Sequence, residues 1–194
     1  MHPRPLLIIS SLLAVFLVLA RQVQGNPTCN NQCCRFVEGF PLRLRKLRED
    51  YSQIRDYYEA NDELDTVLLD DSVEHSFNSP FACQAMDGIL GFYLRTVLPS
   101  ALAVATEDAR TLRPYMESIQ QIFDELKREV TKCRNYFSCK KQFDIRNLNS
   151  TYTQMESKGL FKAMGELDIL FNYFEKYLAS KRDRGAASSS SSSS

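Results

Sequence analysis

From Leu44 onward apolar residues recur at helical spacing, as Leu44, Leu47, Tyr51, Ile54, Tyr57 and Tyr58, while Arg45, Lys46, Arg48, Glu49, Arg55 and Asp56 fill the other side. A recurrence every three to four residues predicts an amphipathic helix, because one face is hidden and the other solvated. The stretch from Cys29 to Pro41 reads as an irregular leader. Leu64 to Leu69 is a short apolar segment between acidic neighbours, predicting one or two helical turns, and His75 to Pro80 reads as a connector. Cys83, Met86, Leu90, Tyr93 and Val97 set a third periodic stretch, which Pro99 is expected to end for want of a backbone donor. Ser100 to Arg113 is weakly patterned. Pro114 suits a first helical turn, and Met116, Ile119, Ile122, Phe123, Leu126, Val130 and Cys133 repeat behind it. Cys133 to Lys140 reads as a turn, and Phe143, Leu148, Tyr152 and Met155 mark a weaker fifth helix ending near Gly159. The last helix is the strongest pattern: Leu160, Met164, Leu167, Phe171, Phe174 and Leu178 line one arc, against Lys162, Gly165, Glu166, Asp168, Asn172 and Glu175. Ile169 and Tyr173 interrupt that polar arc, so this helix is expected to touch neighbours on more than one face. No stretch alternates with period two over a useful length. The expectation is an all-α bundle of about six helices, held by disulfides.

Composition narrows the class. The chain has 194 residues, 44% apolar and 25% charged, which is globular rather than disordered, and the length suits one domain. Residues 1–25 read as a secretory signal: Arg4, an apolar run from Leu6 to Ala20, then small residues before a cleavage point preceding Asn26. The run is shorter than the ~20 residues that span a bilayer, and no later stretch reaches that length, so the product is expected to be secreted without membrane insertion. The domain is then 26–181, followed by a flexible Ser-rich tail over 182–194. Lysine and arginine number 24 against 24 acids, and loss of Arg4 and Arg21 with the signal leaves the mature chain slightly acidic. That balance excludes a phosphate-backbone binder. All six cysteines lie beyond the cleavage point, and in an exported chain they predict disulfides while leaving the pairing open.

Catalysis lacks its parts. His75 is the sole histidine of the mature chain and sits in a connector, so neither a general base nor a metal set assembles around it. Cys33-Cys34 is reminiscent of secreted phospholipases, yet Arg35 and Phe36 follow where a His-Asp pair would be required. Acid pairs such as Asp62/Glu63 and Asp70/Asp71 suit solvated surfaces better than acid–base work. No glycine-rich phosphate loop is present, and no cofactor or metal is expected. The chain is not an enzyme. Two binding readings remain, a disulfide-tied helical carrier of a small apolar ligand and a signalling ligand with a packed core. Asn149-Ser150-Thr151 fits the N-glycosylation pattern, whereas Pro27 excludes Asn26.

The stretch KGLFKAMGELDILFNYFEKY (residues 158–177) resembles the signature helix of the interleukin-10 family of class II helical cytokines. FPLRLRKLREDY (Phe40 to Tyr51) is similar to the family's first helix, DELDTVLLDDS (Asp62 to Ser72) to its AB loop and second helix, and CQAMDGILGFYLRTVLP (Cys83 to Pro99) to its third. The Cys133 to Cys139 step also matches, and together these segments cover nearly all of the mature chain. The resemblance implies a six-helix bundle with disulfides Cys33–Cys133 and Cys83–Cys139. Cys29 and Cys34 have no counterpart in that core and are near enough to form an extra pair. It implies a domain-swapped, intertwined homodimer whose last two helices pack into the partner. It further implies an anti-inflammatory signal, in which the interleukin-10 receptor alpha and beta chains are brought together and trigger JAK-STAT signalling. The receptor surface carried over by resemblance comprises Arg45, Arg48, Arg55, Glu59 and Asp65, with Lys162, Glu166, Asp168, Asn172 and Glu175. Glu59 and Gly165 stand where the family carries other polar side chains.

Overall fold

The computed structural model describes residues 29, 31–104, 106–139 and 143–190, the side chains of 183–190 excepted. The signal segment 1–25 lies outside the described residues. Among the described residues seven helices follow in order: α1 (Gln32–Ala60), α2 (Asp71–Phe77), α3 (Ala82–Phe92, continuing through a π turn at Tyr93–Val97 into Leu98–Ala103), α4 (Glu107–Lys132), α5 (Arg146–Gln154), α6 (Gly159–Gly165) and α7 (Leu167–Ser190). A 3₁₀ turn, Glu156–Lys158, joins α5 to α6. No strand occurs among the described residues.

Several boundaries differ from the sequence reading, each for a local reason. The expected irregular leader is helical from Gln32: Asn31 Oδ1 accepts from the Cys34 amide at 2.8 Å, and Phe36, Val37 and Phe40 carry the buried stripe upstream. Pro41 sits on the exposed side of α1, where packing outweighs the hydrogen bond it removes. Leu64 to Leu69 is not helical. The helix begins after Asp70, whose carboxylate accepts from the Ser72 and Val73 amides at 3.0 and 3.3 Å, and so takes in the first half of the expected connector, His75 to Phe77. Pro99 does not end α3, because the wider π turn just before it accommodates the missing donor. Pro114 lies within α4, which Thr106 caps by accepting from the Ala109 amide at 3.2 Å. The α7 backbone runs to Ser190, through much of the stretch read as a flexible tail.

The core is aromatic. Phe123 of α4 meets Phe171 and Phe174 of α7 edge to face, with centroids 6.2 and 5.8 Å apart, while Tyr93 of α3 and Tyr51 of α1 close the cluster at 5.9 Å from Phe123 and Phe171. Met164, Leu167, Phe171 and Phe174 are fully buried. In this single chain their stripe lies against its own α1, α3 and α4, and the connector 140–142 lies outside the described residues. The cysteines pair as Cys33–Cys133, Cys83–Cys139 and Cys29–Cys34. The first two tie the start of α1 to the end of α4, and the start of α3 to the turn behind α4. Closing long loops in this way restricts the unfolded chain, by roughly 4–5 kcal/mol each on chain entropy alone.

The junction between α5 and α6 stores a local conflict. Glu156 holds a left-handed φ of 51°, and a Cβ at Gly159 would approach the Tyr152 carbonyl oxygen to 2.9 Å. Glu156→Gly is expected to raise the unfolding free energy by about 0.5–1 kcal/mol. Gly159→Ala is expected to lower it by about 1–3 kcal/mol. Denaturant midpoints of the two variants check both signs.

Candidate functional site

Helices α1 and α7 lie side by side, and their solvated faces form one continuous polar surface. Arg48 joins the two, donating to Asn172 Oδ1 and to the Glu175 carboxylate, both at 2.8 Å. Arg45, Arg55, Glu59, Asp168 and Glu175 are exposed around this bridge, and Arg48 and Asn172 are half-buried. Arg55 reaches Asp56 at 3.6 Å and Glu59 at 4.0 Å. Exposed pairs of this kind contribute only about 0–1 kcal/mol each, so an incoming partner displaces them at little cost. Between the helices runs a shallow groove floored by Pro41 and Leu44 and rimmed by Arg45, Arg48, Glu49 and Glu175. Rigid helices, mixed charge and a small apolar floor together suit selective protein docking.

Two expected members of this surface face inward. Lys162 and Glu166 are each only 7% exposed. The Glu166 carboxylate accepts from the Leu68 amide at 3.0 Å and from the Leu69 amide at 2.7 Å. Lys162 Nζ donates to the Leu64 carbonyl at 2.6 Å and pairs with Asp62 at 2.7 Å, with Glu166 at 4.0 Å. Both side chains therefore hold the α1–α2 loop onto the α6–α7 junction. A helical period places them on the polar arc but does not reveal a loop laid over that arc. Asp65, on the same loop, is exposed as expected. Tyr51 and Tyr173 stand out in the pattern as packing positions and Asp62 as one of a solvated acid pair, but the pattern does not show that they hold this junction. Tyr51 Oη donates to the Gly165 carbonyl, and Tyr173 Oη to the Leu69 carbonyl at 3.1 Å. Burial, reinforced by Glu74 and Asp71, pushes the Tyr173 phenol up to about 12.

Burial also raises the Glu166 carboxyl, outweighing the Leu69 and Leu68 amides and the Lys162 ammonium, all of which favour the charged form. Elsewhere, Asn149 is exposed on α5. Among the described residues no group of acids, histidines and cysteines is arranged to hold a metal ion, and no helix is long and apolar enough to cross a membrane.

A family profile described as Interleukin 10 matches residues 8–180. The chain is 33% identical to Interleukin-10 of Gallus gallus over 171 residues, which is 87% of this chain and 95% of the relative. It is 27% identical to Interleukin-10 of Sus scrofa over 173 residues, 89% of this chain and 97% of that one.

The raised Glu166 carboxyl has a definite pH signature. The folded chain binds this proton more readily than the unfolded chain, so the group's contribution is full below its ordinary value of 4.5 and falls as pH rises through the folded value. Glu166→Gln keeps an acceptor for both amides but does not titrate. The stability of the unsubstituted chain relative to Glu166→Gln is therefore expected to be greater at pH 4 than at pH 7, as read from urea midpoints. A difference that grows with pH would refute the assignment.

Proposed function

The chain belongs to the interleukin-10 family, whose members are helical cytokines and not enzymes, and from that premise we propose that its α1–α7 face is the receptor-binding surface of a secreted, anti-inflammatory cytokine. The partner gripped there is the interleukin-10 receptor alpha chain; a beta chain joins on a separate surface, and the assembled pair starts JAK-STAT signalling inside the cell. The chain contributes geometry and affinity, with no bond chemistry. The single observation that carries this reading is the Arg48 bridge to Asn172 and Glu175, set among exposed Arg45, Arg55, Glu59 and Asp168. Charges of both signs fixed on two packed helices discriminate partners through complementary potential. The carrier reading is disfavoured because the rings of Phe123, Phe171 and Phe174 occupy the bundle axis where a ligand would lie.

The same reading includes a homodimer formed by exchange of α5 to α7. Every contact these helices make with α1, α3 and α4 is reproduced when a second copy supplies them, so exchange needs only a different path for the connector. Asn149, exposed on α5, is the glycan acceptor of the secreted form; an Asn149→Gln variant is then expected to lack a glycosidase-sensitive mass increment.

Arg48→Glu combined with Asp168→Lys is expected to weaken binding to the receptor alpha ectodomain on the order of 10- to 100-fold with an unchanged circular-dichroism melt. Unaltered affinity would remove this surface from the account. In the same preparation, sedimentation equilibrium is expected to give twice the chain mass, and a monomer would remove the exchange.

A further inference from the structure

We propose that Glu166 is a positioning residue, a latch that holds the α1–α2 loop in its binding-competent form, and not a contact for the partner. The inference rests on the receptor-surface reading above and adds to it how half of that surface is kept in place. Residues 61–70 form no helix or strand, so the loop has no hydrogen-bond ladder of its own. Its backbone is secured from one side: Glu166 takes the Leu68 and Leu69 amides, Lys162 takes the Leu64 carbonyl, and Tyr173 serves the Leu69 carbonyl. Leu68 and Leu69 are themselves buried, at 3% and 1% exposure. Between these anchors Asp65, Thr66 and Val67 stand exposed, Val67 at 47%.

This arrangement separates two roles that a list of charged residues merges. A carboxylate that is 7% exposed, with two amides already directed at it, has no surface to offer an incoming protein. A partner would have to lift the loop to reach it. Without the carboxylate, the Leu68 and Leu69 amides are buried donors lacking an acceptor, and they recover hydration only when the loop lifts. The loop then exchanges between latched and lifted forms, and the affinity of any partner that reads Asp65 to Val67 is scaled by the latched fraction. Lys162 secures the loop at its other end, through Leu64 and Asp62.

The test compares Glu166→Ala, Glu166→Asp and Glu166→Gln in the full mature chain, reading amide hydrogen exchange and affinity for the receptor alpha ectodomain. Ala removes the acceptor, Asp is too short to reach both amides, and Gln keeps an acceptor without charge. Glu166→Ala and Glu166→Asp are expected to speed exchange at Leu68 and Leu69 by about tenfold or more while the buried α4 amides keep their protection. Affinity should fall in parallel, about tenfold for a latched fraction near one tenth. Glu166→Gln should hold both readouts within about threefold. Equal loss of affinity in all three variants with unchanged loop exchange would overturn the proposal in favour of direct contact. Faster loop exchange with full affinity would overturn it by placing the loop outside the binding surface. Glu166→Asp guards against an alanine variant that fails to fold. If the unsubstituted chain does not bind the ectodomain, the receptor reading itself fails, and unchanged exchange in Glu166→Ala and Glu166→Asp would still refute the latch independently.

Discussion

Burial of the α6–α7 stripe is the constraint on which the remainder of the molecule rests. Large side chains hidden from water contribute about 1.5–3 kcal/mol each before the entropy of ordering them is subtracted. A helix as short as α6 gains too little from its own ladder to persist alone, so Met164, Leu167, Phe171 and Phe174 must find the rings of α1, α3 and α4. The ladder is interrupted between α6 and α7, and the two tyrosines facing that interruption supply its missing donors: Tyr93 Oη to the Ala163 carbonyl at 2.9 Å, and Tyr51 Oη to the Gly165 carbonyl. Both phenols are raised well above their ordinary range, chiefly by burial. Packing and hydrogen bonding thus fix one docking angle for α7 against α1.

That angle sorts the charges into two kinds. On the outer flank Arg45, Arg55, Glu59, Asp168 and Glu175 remain solvated, with Arg48 and Asn172 half-buried between them, and pairings among such exposed charges are weak enough to exchange for an incoming partner. Side chains at the junction, Lys162 and Glu166, are sealed beneath the α1–α2 loop, where one carboxylate satisfies two backbone donors. Buried charges of this kind are destabilising when one partner is removed, because the remaining polar groups stay desolvated. On the receptor-surface reading proposed above, the exposed set serves recognition, while the sealed pair holds the α1–α2 loop in place.

The sequence made the helices legible wherever a stripe faced a filled core. Leu44 to Tyr58, Met116 to Val130 and Leu160 to Leu178 mark the three longest packed faces, and the family segments fell in the right order along them. Boundaries were less readable because they depend on neighbours distant in sequence. Cys133 and the end of α4 hold the first turns of α1 in place, so a prolyl residue at 41 does not break it. The apolar run Leu64 to Leu69 reads as helix in the sequence because the carboxylate that draws the Leu68 and Leu69 amides away lies 98 and 97 residues downstream. On the flank of α7 the helical period matches the exposure of Asp168 and Glu175 and the half-burial of Asn172. At Lys162 and Glu166 the same period does not show their burial, since a covering loop leaves no periodic trace.

The central claim is that packing of α7 on α1 creates the face a receptor grips. Amide hydrogen exchange of the chain with and without the interleukin-10 receptor alpha ectodomain tests it most directly. Added protection is predicted along Arg45 to Glu59 and from Asp168 to Glu175, with little change on the solvated side of α4. Protection confined to α4, with the α1 and α7 flanks exchanging as in the free chain, would contradict the account.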